Sequence, residues 1–208
     1  MGKIKRGILG GFQGKVANVI GQGWKGIDVM RSMPISVANP RTPAQTSNRT
    51  KFGDLVEVSK ALGSAYLRKT FDKQAIRKTT FNAFVSANMK GQQAYPVWTW
   101  DMFELAGEYA DGAGYQLSVS KETSSNEIVV SFQSSSNPFG FVGTDKVSVG
   151  IVYNNGTDKP AAAASIEQQQ WSYGSARVAV PNVSSVNDFT ICLVVTKQAD
   201  GKNYCFLV

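Results

Sequence analysis

Two thiols, a short run of carboxylates and a glycine-rich basic opening are the parts of this sequence whose residue types could do chemistry. Cys192 and Cys205 are the only cysteines, and the 208 residues contain no histidine. A Ser-His-Asp triad, a Cys-His dyad and a His-ligated metal site are thereby excluded. Two cysteines cannot form a Cys-only zinc site or a dense disulfide framework. They flank Ala199-Asp200-Gly201-Lys202, and Asp-Gly is a strong hairpin signal. With Asp200 and Gly201 as a two-residue loop, Ala199 faces Lys202 and Cys205 faces Thr196. Cys192 then lies four residues from that pair, roughly 13 Å away, beyond the ~7 Å reach of a disulfide. The expectation is two free thiols packed as small apolar residues. A reactive thiol is disfavoured, because no basic cluster lies nearby in sequence to lower its pKa.

Asp101, Glu104, Glu108 and Asp111 would share a face if helical, as paired carboxylates or oxygen ligands. Gly107, Gly112 and Gly114 argue against a long helix, and no calcium-loop spacing is present, so a solvated acidic face is the simpler reading. Gly7-Ile8-Leu9-Gly10-Gly11-Phe12-Gln13-Gly14-Lys15 carries Gly-x-x-x-Gly-Lys followed by Val16. A phosphate loop needs four residues between its glycines and a hydroxyl after Lys, so these glycines are read as backbone packing. No cofactor, metal or small-molecule substrate is expected. Lys3, Lys5, Arg6, Lys15, Lys25, Arg31 and Arg41 alternate with Phe12 and Trp24. Such an arm can neutralise phosphates, meet an acidic surface of another copy, or be an ordinary solvated surface.

The elements that must position these groups differ along the chain. Residues 1–38 read as a Gly-rich basic arm, with short strands at 16–20 and 27–31 and a loose hairpin through Gly21-Gln22-Gly23. Residues 39–91 read as an α-hairpin. Thr42-Pro43-Ala44-Gln45 opens its first helix as a capping box with Pro at N1, and Phe52, Leu55, Val56, Leu62 and Tyr66 form its apolar stripe. The second helix is expected to start near Asp72, bury Ile76, Phe81, Phe84 and Val85, and end with Gly91 at C′. Residues 92–114 form an aromatic junction. Residues 115–208 alternate with period two in six to eight short segments, with Ala161 to Ala164 read as a small-residue loop. The fold class is α+β, with this C-terminal part expected as an immunoglobulin-like antiparallel β-sandwich.

Residues 1–100 hold 16 Lys+Arg against 4 Asp+Glu, a net of +12, whereas 101–208 hold 6 against 11, a net of −5. A basic arm and an acidic body on one chain suit head-to-tail association. The basic start is followed by a stretch too short and Gly-rich for a signal peptide. Gly7 breaks the myristoylation pattern, and no run is long enough to span a membrane. Synthesis in a cytoplasm without a signal peptide is expected, with assembly into a virion or extracellular particle.

Gly7-Ile8-Leu9-Gly10-Gly11-Phe12-Gln13-Gly14-Lys15-Val16, Gly21, Trp24-Lys25-Gly26-Ile27 and Arg31 resemble the opening of an uncharacterised family of similar length found in bacterial and phage genomes. Asn39-Pro40-Arg41-Thr42-Pro43-Ala44-Gln45, with Arg49 and Phe52, resembles a wider group of phage-associated proteins. That group usually has Trp-Asn in the second helix, where Phe81-Asn82 stands here. The resemblance covers roughly residues 1–90 and implies a phage-like setting. The leading expectation is a non-enzymatic structural protein that assembles with other copies of itself through its N-terminal arm. The alternatives are nucleic-acid binding by the basic half and a carbohydrate- or surface-binding module using Trp98, Trp100 and Trp171.

Overall fold

The computed structural model describes residues 2–3, 13–36, 39–93, 95–110, 115–134, 137–157, 159–181, 183, 186 and 188–208. The fold is mixed α+β, with two helices and three antiparallel sheets, divided into two compact units, 1–42 and 43–208. The division falls four residues beyond the expected end of the arm. Helices, aromatic junction and C-terminal strands all belong to the larger unit. Among the described residues no helix is long and apolar enough to cross a membrane.

The smaller unit is a four-stranded sheet of order β1-β4-β3-β2, built from β1 (Gly2–Lys3), β2 (Gly14–Val16), β3 (Val19–Trp24) and β4 (Ile27–Ser32). The expected strand at 16–20 is broken, because Ala17 takes φ 49° and turns the chain. Gly21-Gln22-Gly23 lies inside β3 rather than in a loop. The hairpin turn is Lys25-Gly26, with φ 46° and 77° and Trp24 opposite Ile27. Positive φ at both loop residues matches the twist of the flanking strands, which is why this pair turns the chain.

In the larger unit, α1 (Pro43–Phe71) starts at Pro43, whose missing N–H is harmless there. It is interrupted at Gly63, whose φ of 82° and ψ of 153° are not helical. Leu55, Val58, Leu62, Tyr66 and Phe71 are buried, but Phe52 is half exposed, so the inward stripe is displaced from the expected one. α2 (Thr80–Gly91) starts eight residues after Asp72. Residues 72–78 form turns, Arg77 at φ 57° interrupts helical backbone, and Thr79 caps α2 by accepting from Asn82 N at 3.1 Å. Ile76 is therefore exposed, and Gly91 is the last helical residue, with Gln92 as the cap. Lys51 Nζ donates to the carbonyls of Met89 (2.8 Å) and Gln92, tying α1 to the negative end of α2.

The strands form two further sheets. β5 (Tyr115–Glu122), β6 (Glu127–Ser134) and β9 (Ser175–Ala179) lie in the order β5-β6-β9. β7 (Lys146–Asn154), β8 (Pro160–Gln170), β10 (Phe189–Thr196) and β11 (Asn203–Leu207) lie in the order β11-β10-β7-β8. Ala161 to Ala164 is thus strand, not loop. Its alternate alanines lie on two sides, Ala161 and Ala163 toward the core between the sheets, Ala162 and Ala164 toward the helices. Small side chains there let α1 approach the sheet. One core joins Ile128, Val130, Ile151 and Leu193 between the two sheets. A second joins Leu55, Phe84, Trp98 and Leu105 to Val152, Cys192 and Val194 on the opposite side of β7 and β10. The order is helices, four-stranded sheet, three-stranded sheet. The middle sheet is buried on both sides, so its strands read as apolar runs rather than strict alternation.

Two close fits lock these layers. A Cβ on Gly150 would lie 2.3 Å from Tyr66 Cζ, so only glycine lets the phenol lie on β7. A bulge between Val147 and Val149 sets Glu167 at φ 52°, with its N–H donating to Ser148 Oγ at 3.0 Å. The bulge aims Glu167 at Lys69 of α1, 2.6 Å away. The aromatic junction is core, not linker. Asn88 bonds both backbone groups of Glu104, and Gln92 both of Thr99, fastening the segment to α2.

Candidate functional site

The basic residues singled out in the sequence are best judged on the N-terminal sheet. Lys15 stands opposite Ile20, and Ile20 opposite Arg31. Directly paired residues share a face, so a basic, an apolar and a basic residue form one row. Trp24, Ile27 and Val29 lie on that same face by the two-residue period. Lys3 takes the register position opposite Val29. Lys25 belongs to the hairpin turn, and Arg41 is exposed beyond the sheet. Lys5, Arg6 and Phe12 lie outside the described residues, as does Asp111. The pairing thus brings Lys15, Trp24 and Arg31 together and leaves Lys25 and Arg41 off the face.

Both faces of this sheet carry exposed apolar residues. Trp24 is 48% exposed on the basic face, and Val16, at 61%, on the other, beside Val19 and Met30. Gly21 is the only described residue of the unit that is buried. Gly14 and Lys15 lie in β2 rather than in a loop before a helix, which removes the phosphate-loop geometry for that pair.

The charge contrast reads differently once the units are drawn. Residues 1–42 carry seven Lys or Arg against one acidic residue, a net of +6. Residues 43–208 carry 15 against 14, a net of +1. Cations in and just after α1 that inflated the basic half are partly matched inside their own unit, as in Lys69–Glu167 at 2.6 Å and Lys73–Glu108 at 2.9 Å. Asp101 and Glu104 are exposed, Asp101 in a one-turn 3-10 helix. No cluster of three metal-ligating side chains occurs among the described residues. Trp98 is buried and stacks on Phe103, and Trp171 stacks on Phe132 at 4.4 Å between ring centres. Trp100 is partly buried, packs against the helix-side core and stacks on Phe103, so all three serve as core anchors.

The cysteines call for a correction of register. The β10–β11 loop is not two residues long. It runs from Lys197 to Lys202, with Lys197 N–H donating to Lys202 O and Gly201 N–H to Lys197 O. Thr196 therefore pairs with Asn203, and Cys205 with Val194. Cys192 is only two residues from that pair, so the thiols are diagonal neighbours on the helix side of the sheet. Both are free and buried.

Residues 11–206 match a family of proteins described as of unknown function, DUF6266. The chain belongs to this family. The match spans both units and begins at Gly11, so Gly7 to Gly10 of the opening pattern lie before it. No curated protein and no solved structure matches the chain.

Proposed function

We propose that this member of the family is a non-enzymatic structural protein that associates with other copies of itself through its N-terminal sheet. One observation carries the reading. A four-stranded sheet exposes Val16, Trp24 and Met30 on its two faces, and three- or four-stranded sheets need a covered apolar face for stability. The occupant we assign is another copy of the chain. A sheet with a net charge of +6 beside a nearly neutral larger unit favours a heterologous contact over two basic sheets stacked face to face. The resemblance to phage-associated proteins makes a virion component or filament subunit the setting we favour.

We further read the larger unit's two sheets as an immunoglobulin-like sandwich. With β5 as strand A, the orders become A-B-E and G-F-C, with β8 added beside C where a constant-type domain would place strand D on the other sheet. This would be the rigid body that the N-terminal sheet connects.

The test is size and fluorescence. Trp24 is the only tryptophan before residue 98, and its half-exposed ring should shift to shorter emission wavelength on assembly. Deleting residues 1–42 should give a folded monomer. A full-length chain that stays a monodisperse monomer at micromolar concentration, at every salt concentration, overturns the reading. The row Lys15–Ile20–Arg31 with Trp24 supports a second reading, binding of a nucleic-acid backbone. Affinity for single-stranded DNA that ignores salt between about 50 and 200 mM would exclude it.

A further inference from the structure

An open groove of about 500 Å³ lies in the larger unit, where the 3-10 turn Trp100–Met102 meets the start of β10. Val97, Trp98, Trp100 and Asp101 line it from one segment, and Asp188 and Phe189 from the other. Thr190 Oγ1 donates to Trp100 O and ties the two segments together. Asn154 N–H donates to Asp188 O at 2.8 Å and fixes that residue at the end of β7. The lining is largely apolar. Trp98 is buried, Trp100 and Phe189 are half-buried, and Val97 is 70% exposed.

Given the self-association proposed above, on which this rests, we infer that the groove is the surface that receives the N-terminal sheet of a second copy. Charge singles it out within the larger unit. Glu57, Glu108, Glu122 and Glu167 each meet a lysine or arginine, at 2.6 to 3.8 Å. Asp101 and Asp188 are exposed, and among the described residues neither has an ion-pair partner. Asp72 is also unpaired, but it lines a different pocket together with Lys69, Lys73 and Lys202. No described lysine or arginine lines the groove. Lys121 stands over the Phe189 ring at 5.9 Å, yet gives its Nζ to the Val186 carbonyl.

The basic face of the N-terminal sheet has the converse pattern. Lys15, Ile20 and Arg31 form a row across β2, β3 and β4. Strands stand about 4.8 Å apart, so the two cations flank the isoleucine across roughly 10 Å. Trp24 extends the same face, half exposed. In the groove, Ile20 and Trp24 would leave water together with Val97, while Lys15 and Arg31 meet Asp101 and Asp188. Charge pairs at a rim fix partner and register more than affinity. Two basic sheets stacked on one another would have no such pairs. Because sheet and groove are unlike, each added copy leaves one sheet and one groove free, and copies add in a row.

The test is a charge exchange on the full chain, read by sedimentation over a range of concentrations. The groove variant Asp101→Lys/Asp188→Lys and the sheet variant Lys15→Glu/Arg31→Glu should each, alone, weaken assembly about tenfold or more. Mixed in equal amounts they should recover it. The basic sheet of the first then meets the unchanged groove of the second, and the acidic sheet of the second meets the basic groove of the first. A chain carrying all four substitutions should assemble by itself. The milder Asp101→Asn/Asp188→Asn should weaken assembly less and flatten its salt dependence. Recovery in the mixture separates a lost contact from a misfolded variant. Assembly of the groove variant at its original strength, an unchanged salt dependence in the neutral variant, or recovery in neither the mixture nor the fourfold chain would overturn the groove and leave self-association through the sheet standing. An unaltered chain that stays monomeric would overturn both.

Discussion

Two four-stranded antiparallel sheets sit in this chain, and they differ in what covers them. In the sheet β11-β10-β7-β8, seven consecutive residues of β7 and seven of β10 are buried, with helices on one side and the three-stranded sheet on the other. In the sheet β1-β4-β3-β2, Gly21 alone is buried among the described residues. Both are hydrogen-bonded into antiparallel ladders, one with a bulge in β7–β8, so backbone pairing does not account for the difference. The burial of apolar area does, at about 25 cal/mol per Å². The first sheet is a finished core. The second is largely exposed among the described residues, and the proposed self-association rests on that contrast.

The contrast can be broken by substitutions of graded effect. Gly150→Val should do most damage, because its side chain would enter the Tyr66 ring. A loss of about 3 kcal/mol is expected in urea titration. A loss below 1 kcal/mol would show that α1 does not press on β7. Asp145→Ala comes next. This carboxylate is fully buried and accepts from Val142 N and Gln198 N, both at 2.8 Å, pinning two loops. About 2 kcal/mol should be lost.

Alkali should also act on the covered region alone. Burial raises the phenols of Tyr66 and Tyr109 above their ordinary range. Unfolding exposes them to water, where a phenol ionises near pH 10. The unfolded chain therefore binds fewer protons above about pH 10, so this stability is complete below that pH and falls as pH rises further. Each phenol accounts for about 1.4 kcal/mol per pH unit. Residues 1–42 contain no tyrosine, so phenolate absorbance reports only on the larger unit. Tyr66→Phe should flatten the slope while changing stability at pH 7 by less than about 1 kcal/mol, since it removes a hydroxyl with no partner.

The smallest effect sharpens the comparison from the other side. Trp24→Ser and Val29→Thr on the N-terminal sheet should leave the unfolding free energy of the larger unit within about 0.5 kcal/mol of the original. They should nevertheless weaken assembly, as seen by sedimentation. A large drop in stability would mean that this sheet is held by its own chain.

Much of the fold was legible where a local rule suffices. Pro43 marks the start of α1, and the alternation of 128–132 and 189–195 marks β6 and β10. What failed were pairings decided at a distance. Ala161 to Ala164 has no strand propensity of its own, and only β7 on one edge and α1 on one side make it β8. Asp72 is a good cap by type, yet Thr79 caps α2 because Arg77 turns the chain between them. Asp200-Gly201 suggests a two-residue loop, but the six residues 197–202 close it and shift the register by two. The candidate site followed the same division. The types of Lys15, Trp24 and Arg31 were readable, but their common face depends on the Lys25-Gly26 turn. Lys73 and Cys205, 132 positions apart, line one pocket beside the C-terminal end of α1, so sequence neighbours alone show no cation near the thiol.

The sequence by itself determined that no histidine chemistry or cysteine scaffold is present, that the opening is basic and glycine-rich, and that two helices precede the long β-rich stretch. These follow from side-chain types and short periodicities, which every local segment carries with it. Tertiary structure alone decided which sheet is covered, which charges are matched within one unit, and which thiol meets the pocket. Those properties depend on residues far apart in the chain meeting in a low-dielectric interior, where packing and desolvation act on whole surfaces.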